Sequence, residues 1–264
     1  MNNITDYTKY DFIDFGASKG GSIDFAKIFL GGKRGVGIDI DQKKIDMMIK
    51  SGYECEYGDI TNLVIIPDNT VKFVMMSHVL EHLNSLEDIY KAIQEAIRIS
   101  TDFVYIQGPN FDDDEYLHRN NLRFFWSFWK GHTYHFQSSE LISILEKCSG
   151  FKESIIAYRG PLYSSTSSCI HSLDSPIDQH EYDPSVHPPK TSIRFDNTLY
   201  KEIVAVIRID NKINAEKIIT CRGKVVDVTT GKSYGKIKVT EVIKVILKVI
   251  RSGQFFNYFK KLIK

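Results

Sequence analysis

The sequence predicts an α/β protein: a doubly wound, seven-stranded, mostly parallel sheet with a lid insertion and a C-terminal helical extension. Two observations predict it. Residues 11–23, DFIDFGASKGGSI, join a buried strand, a tight glycine turn and a helix start. Downstream, short apolar runs alternate with stretches of helical periodicity, the signature of a sheet whose ligand crevice opens at the carboxyl ends of its strands.

The elements follow in order. Residues 1–10 read as a polar lead with a short helix over the first strand, which is built from Phe12, Ile13 and Phe15. Gly16, Gly20 and Gly21 form the turn, and Ser22 is expected to cap a helix over 23–30 that Gly31 and Gly32 end. RGVGIDI, residues 34–40, is the second strand, followed by a helix over 41–50 that should bury Ile45, Met47, Met48 and Ile49. A short third strand precedes Gly58, and residues 72–77 form the central fourth strand. Residues 86–99 are an amphipathic helix capped by Asn84 or Ser85, and residues 102–107 a fifth strand broken at Gly108-Pro109. A helix starts near Ser138, and residues 151–158 and 202–208 supply the sixth and seventh strands.

Two domains are expected: 1–210, with 160–199 as a lid or acceptor insertion, and 211–264 as an extension. The extension carries a hairpin around Thr230-Gly231 and a basic amphipathic helix over 240–264. That helix would dock or form a homodimer, or else make peripheral contact with an anionic membrane surface.

A net charge of +1 over 264 residues, with no long basic run before the C-terminal end, argues against a dedicated nucleic-acid binder. Cys55, Cys148, Cys169 and Cys221 form no C-x-x-C pair, so free thiols in a reducing compartment are expected. No apolar run is long enough to span a membrane and no leader pattern is recognisable, which predicts a cytoplasmic protein, at most peripheral at the inner membrane face.

Three ligand readings compete at the glycine turn. A dinucleotide fingerprint, G-x-G-x-x-G, lacks its middle and last glycines here. Gly16-Ala17-Ser18-Lys19-Gly20 matches the nucleophile elbow G-x-S-x-G, but the segment ahead of Ser18 is expected to be too short for the strand and loop an elbow draws on. The third reading rests on a resemblance to a family whose ligand carries an ammonium, for which the strand-end acid Asp14 is the suitable partner. Asp39, 23 positions after Gly16, suits an acid that accepts ribose hydroxyls.

DFGASKGG resembles the first motif of class I S-adenosylmethionine-dependent methyltransferases, D-x-G-x-G-x-G, with Ser18 at the middle glycine. VKFVMMSHVLEHL, residues 71–83, resembles their fourth motif and the turn after it; residues 131–151 resemble the stretch in which a histidine precedes the helix before the sixth strand. The resemblance implies a Rossmann-like sheet with an antiparallel seventh strand and S-adenosyl-L-methionine as cofactor. It implies a cofactor set of Asp14, Phe15, Gly16, Gly20, Asp39, Ile40, Asp59, Ile60 and Ser77, with Asp59 at the adenine amino group and its neighbour against the ring. His132 is implied as general base, with His135 a second candidate.

The expected acceptor is a small or carbohydrate-like molecule methylated on oxygen, with bacterial surface-polysaccharide biosynthesis as a setting. The alternatives are an NAD-dependent oxidoreductase and a noncatalytic methyltransferase-fold partner subunit. His78 to His82 also spells the zinc-protease pattern H-x-x-E-H. That pattern needs one helix to present all three ligands, whereas His78 falls at a strand end, so no metal is expected and His82 is read as a histidine bracing the cofactor loop. The acids 112–115 read as a solvated loop. Trp126 and Trp129 read as core or lid, or as an acceptor platform; His171, His180 and His187 are spaced too irregularly for a metal site.

Overall fold

The computed structural model describes residues 6–177 and 179–235. In chain order the elements are β1 (Phe12–Phe15), α1 (Gly21–Phe25), β2 (Gly35–Asp39), α2 (Gln42–Lys50), β3 (Cys55–Tyr57), β4 (Val71–Ser77), α3 (Leu86–Ile99), β5 (Ser100–Pro109), α4 (Asp114–Arg119), β6 (Leu122–Phe124), α5 (Ser138–Lys147), β7 (Glu153–Ser164), β8 (Ile170–Ser172), β9 (Arg194–Arg208), α6 (Ala215–Ile219), β10 (Val225–Asp227) and β11 (Ser233–Tyr234).

The main sheet has the order β11-β10-β7-β9-β5-β4-β1-β2-β3. Strands β3, β2, β1, β4 and β5 pair in parallel, and β9 runs antiparallel between β5 and β7. The sheet thus has nine strands among the described residues, where seven were expected. The two additional ones, β10 and β11, are the hairpin predicted around Thr230-Gly231, and it continues the sheet by pairing Val226 with Tyr158 and Asp227 with Ala157. Its pairing covers the edge that β7 would otherwise leave open.

The period-two alternation of strand side chains sorts the core into two layers. On one face Ile13, Phe15, Val74, Met76, Val104 and Ile106 meet the apolar stripes of α3 and α5. On the other, Phe12, Phe73, Phe103 and Tyr105 meet Ile23, Phe25, Met48 and Ile219. Phe12, Phe73 and Phe103 stack across adjacent strands, with ring centroids 5.0 and 4.7 Å apart.

Several local expectations are corrected. The helix after the glycine turn starts at Gly21 with Gly20 (φ 81°) at its cap, and it widens into a π-helix over Ala26–Leu30. Ser22 does not cap it, because its hydroxyl is donated to the Asp14 carboxylate instead. Met47 and Ile49 are 45% and 57% exposed; α2 touches the sheet along Ile45 and Met48, three positions apart on one helical face. Strand β5 does not break at Gly108-Pro109, because β9 lies alongside and pairs Gly108 with Ile203 and Pro109 with Glu202.

The insertion over 160–199 is built jointly with residues 111–129. Strands β7 and β9 extend into it as far as the Ser164–Arg194 pair, and β8 pairs with β6. Phe111, Leu117, Leu122, Phe124, Leu162, Ile170, Phe195 and Leu199 give it a separate apolar cluster. Arg123, 1% exposed, ties the pieces together by donating to the carbonyls of Phe124, Phe125, Ser175 and Pro176. The helix predicted over 240–264, with its dimer and membrane readings, lies outside the described residues. No helix among the described residues is long and apolar enough to cross a membrane.

A Cβ at Gly37 would lie 2.6 Å from both the Ala17 Cβ and the Met48 methyl, where β2, the glycine turn and α2 converge. Gly37→Ala is expected to lower unfolding stability by about 1–3 kcal/mol through overpacking, measured as a lower urea midpoint.

Candidate active site

The crevice begins where β1 turns. Gly16 has φ 69°, and a Cβ there would lie 2.3 Å from Val79 Cγ2, so the residue after β4 presses on the turn. The Gly16 and Ala17 N–H groups donate to the Ile38 carbonyl at 2.8 and 3.2 Å. Ser18 has φ 49°, so it keeps the left-handed backbone of the glycine it replaces, at roughly 1–2 kcal/mol. Its N–H donates to Asp39 Oδ2 at 2.9 Å, while Asp39 Oδ1 accepts from the Asp41 N–H at 2.9 Å. The acid ending β2 therefore holds the turn that follows β1.

Asp14 is fully buried. One of its oxygens accepts from the Ser22 hydroxyl, and the other has no partner. Burial pushes its pKa up to about 7; the Ser22 hydrogen bond works against the rise and the nearby Asp39 charge adds to it. Ile40, next to Asp39, is 63% exposed, an uncovered apolar face at the crevice. Asp59, also exposed, accepts from the Thr61 N–H and hydroxyl at 2.9 and 2.7 Å. Ser77 closes β4, opposite Gln107. Asp14 places an acid at the base of the turn and Ile40 offers an open apolar face, so the residue types present fit a sulfonium nucleoside bearing an amino acid. Two of the expected residues take no side-chain part: Phe15 and Ile60 both turn into the apolar core.

Beyond β4 lies a second chamber, a cavity of about 440 Å³ whose wall includes His78, Glu81, His82, Trp126, Trp129, His132, His180 and Glu202. His132 faces it, as expected. Its Nδ1 lies 2.8 Å from the Trp126 carbonyl, and burial holds its pKa below the ordinary value against the pull of Glu81. His78 sits in the left-handed region (φ 55°) with Nδ1 3.6 Å from Glu81 and Nε2 3.9 Å from Glu202. Burial would lower its pKa, but the Glu81 and Glu202 carboxylates outweigh that and raise it.

His135 does not line the cavity. Its ring stacks on Phe111, 4.6 Å between centroids, and its Nδ1 lies 3.2 Å from Asp114, which hold it elsewhere. His82 does not brace the cofactor loop; its Nδ1 meets the Gly131 carbonyl at 2.5 Å. Nor are the acids at 112–114 a solvated loop. Asp112 accepts from the Ser138 N–H and from the Ser138 and Tyr158 hydroxyls, and Asp114 from Ser127 at 2.6 Å. Burial pushes Asp113 up to about 6. Trp126 is buried with its indole N–H on the Asn110 carbonyl at 2.9 Å, and both tryptophans reach the cavity wall.

Sequence reasoning missed the polar chain beside the cavity. Gln107 accepts from Tyr105 at 2.9 Å and from Arg159 at 3.3 Å, and donates to Glu202 at 3.3 Å. The available signal was a polar residue beside the apolar run of each of three strands, which strand pairing then brought together.

A doubly wound sheet with this loop, this strand-end acid and a separate chamber past β4 is the fold of the class I S-adenosylmethionine-dependent methyltransferases. Residues 13–102, from β1 into β5, match the family model described as a methyltransferase domain. A SAM-dependent methyltransferase from Archaeoglobus fulgidus superposes with a TM-score of 0.51 at 17% identity, covering 75% of this chain and 85% of that one. A protein from Bacillus halodurans C-125 described as a putative methyltransferase gives 0.50 at 12% identity, covering 80% and 100%. These likenesses are of fold. No curated protein matches the chain.

Because the folded-state pKa of Asp14, about 7, lies above its unfolded value of 3.8, its contribution to stability is fully present below pH ~4 and is lost as pH rises through 7. In the ligand-free chain this loss amounts to roughly 4 kcal/mol, and Asp14→Asn is expected to remove it. Urea unfolding between pH 4.5 and 8 checks this as a flatter stability profile for the variant.

Proposed function

We propose that the chain methylates a hydroxyl oxygen of a small, carbohydrate-like acceptor bound in the chamber past β4. When bound, S-adenosylmethionine supplies a methyl carbon already activated by its sulfonium, so the protein's task is to position and, for a hydroxyl, to remove a proton. Asp14 would take the ammonium, Gly16 and Gly20 the close backbone approach, Asp39 the ribose hydroxyls, and Ile40 and Asp59 the adenine, with Ser77 at the end of β4. Phe15 and Ile60 would contribute through their backbone.

The observation that carries the acceptor reading is the make-up of the 440 Å³ chamber: Trp129 and His180, 4.3 Å apart, offer aromatic faces, while Glu181, Lys201 and Glu202 offer polar edges. Sugars are held by that combination of ring stacking and hydroxyl hydrogen bonds. His132, with its neighbours His78, Glu81 and His82, forms the group on that wall able to take up the hydroxyl proton. A glycosyl acceptor of surface-polysaccharide assembly is of this chemistry. A cytoplasmic location accords with four free cysteines.

Asp39→Ala is expected to weaken binding of S-adenosylhomocysteine by about 10- to 100-fold in calorimetry, since it removes a charged acceptor and loosens Ser18. Incubation with methyl-labelled cofactor and a panel of free sugars, nucleotide sugars and small amines should place the label on a sugar oxygen. Trp129→Ala should raise KM for that acceptor with cofactor affinity unchanged. Label found only on nitrogen would overturn the reading.

A further inference from the structure

The cluster on the chamber wall has a geometry that its role as a proton acceptor does not require. Glu81, His82 and His132 each present a ligand-capable atom within 4.8 Å of the other two. Two further observations point to a cation. Glu81 is only 2% exposed and its Oε1 has no hydrogen-bond partner; the His78 ring nitrogen stands 3.6 Å away, leaving a buried carboxylate that a closer positive charge would complete. Both histidines direct Nδ1 at a backbone carbonyl, His82 at Gly131 and His132 at Trp126. A carbonyl accepts only from an N–H, so each ring carries its proton on Nδ1 and keeps Nε2 as a free lone pair. Anchoring one ring nitrogen on a carbonyl to orient the other is how metal-binding histidines are held.

We propose that Glu81, His82 and His132 form a binding site for one divalent first-row transition-metal ion, with an open position facing the acceptor chamber. Two imidazoles and one carboxylate suit Mn²⁺ through Zn²⁺ better than Mg²⁺ or Ca²⁺, and three protein ligands leave room for an oxygen from solvent or acceptor. The H-x-x-E-H pattern thus binds without the protease helix. Glu81 and His82 come from the 3-10 turn Leu80–His82 after β4, and the third ligand comes from His132, 50 residues on, rather than from His78. Resting on the hydroxyl-acceptor reading, the ion would hold the acceptor oxygen and lower its pKa, so that its proton would pass to solvent in the chamber, with His132 acting as ligand instead of free base.

The test needs neither cofactor nor acceptor. The full chain, stripped with chelator and dialysed, is titrated with Mn²⁺ while the free-ion paramagnetic resonance signal is followed. One ion per chain is expected, displaced by Zn²⁺. Glu81→Gln and His132→Asn should each weaken binding at least 100-fold, whereas His118→Asn, an exposed histidine on α4 outside the cluster, should not change it. S-adenosylhomocysteine affinity reports that the variants are folded. If they are not, the visible spectrum of the wild-type chain with Co²⁺ decides: nitrogen-ligand bands support the site, and the spectrum of hexaaqua Co²⁺ overturns it. Absence of stoichiometric binding, or binding unaltered in both cluster variants, also overturns it. Metal bound by a chain that methylates only nitrogen would refute the acceptor reading and leave the site standing; oxygen methylation by a chain that binds no ion would refute the site alone.

Discussion

The end of β2 holds the turn after β1, and the site depends on that grip. The Ile38 carbonyl takes the N–H groups of Gly16 and Ala17, and the Asp39 carboxylate takes those of Ser18 and Asp41. Three backbone donors of the turn after β1 are thereby satisfied by the adjacent strand, and the Asp41 N–H by the end of its own strand. Parallel pairing of β1 with β2 supplies the register, since Phe15 lies opposite Ile38 and the next residues on each strand meet at the crevice. Val79, pressing on Gly16 from the other side, fixes how closely the turn lies to the end of β4.

Two buried carboxyls flank that turn, and each is left partly unsatisfied. Asp14 has an oxygen without a hydrogen-bond partner beneath the glycine turn, and Glu81 has one at the chamber wall, 3.6 Å from His78. A folded protein keeps such groups where a ligand completes them, because an unpaired buried acceptor is otherwise destabilising. The cofactor ammonium and the proposed cation are positive charges, and each would relieve the acid nearest to it.

The antiparallel β9 connects the two halves of the molecule. Lying between β5 and β7, it brings Glu202 beside Arg159 and near Gln107, and through them to His78 at the end of β4. The same strand runs on into the insertion, whose apolar cluster holds Trp126 at the chamber wall. One strand thus carries both the polar side of the chamber and the scaffold of its cover.

The sequence by itself determined the parallel half of the sheet and the glycine turn at its crevice. Those features are local: apolar alternation in β1, β2 and β4, glycines in one turn, and an acid at a strand end all lie within short windows where spacing dictates which face a residue takes. Exposure of Met47 and Ile49, the half-burial of the acids at 112–114 and the continuation of β5 through Pro109 were not legible, since each depends on which element lies alongside. The acceptor chamber was decided by tertiary structure alone. Glu81 and His82 meet His132 across 50 residues, and Gln107 meets Arg159 and Glu202 across three strands, because strand order and register, not sequence distance, set which side chains share a cavity.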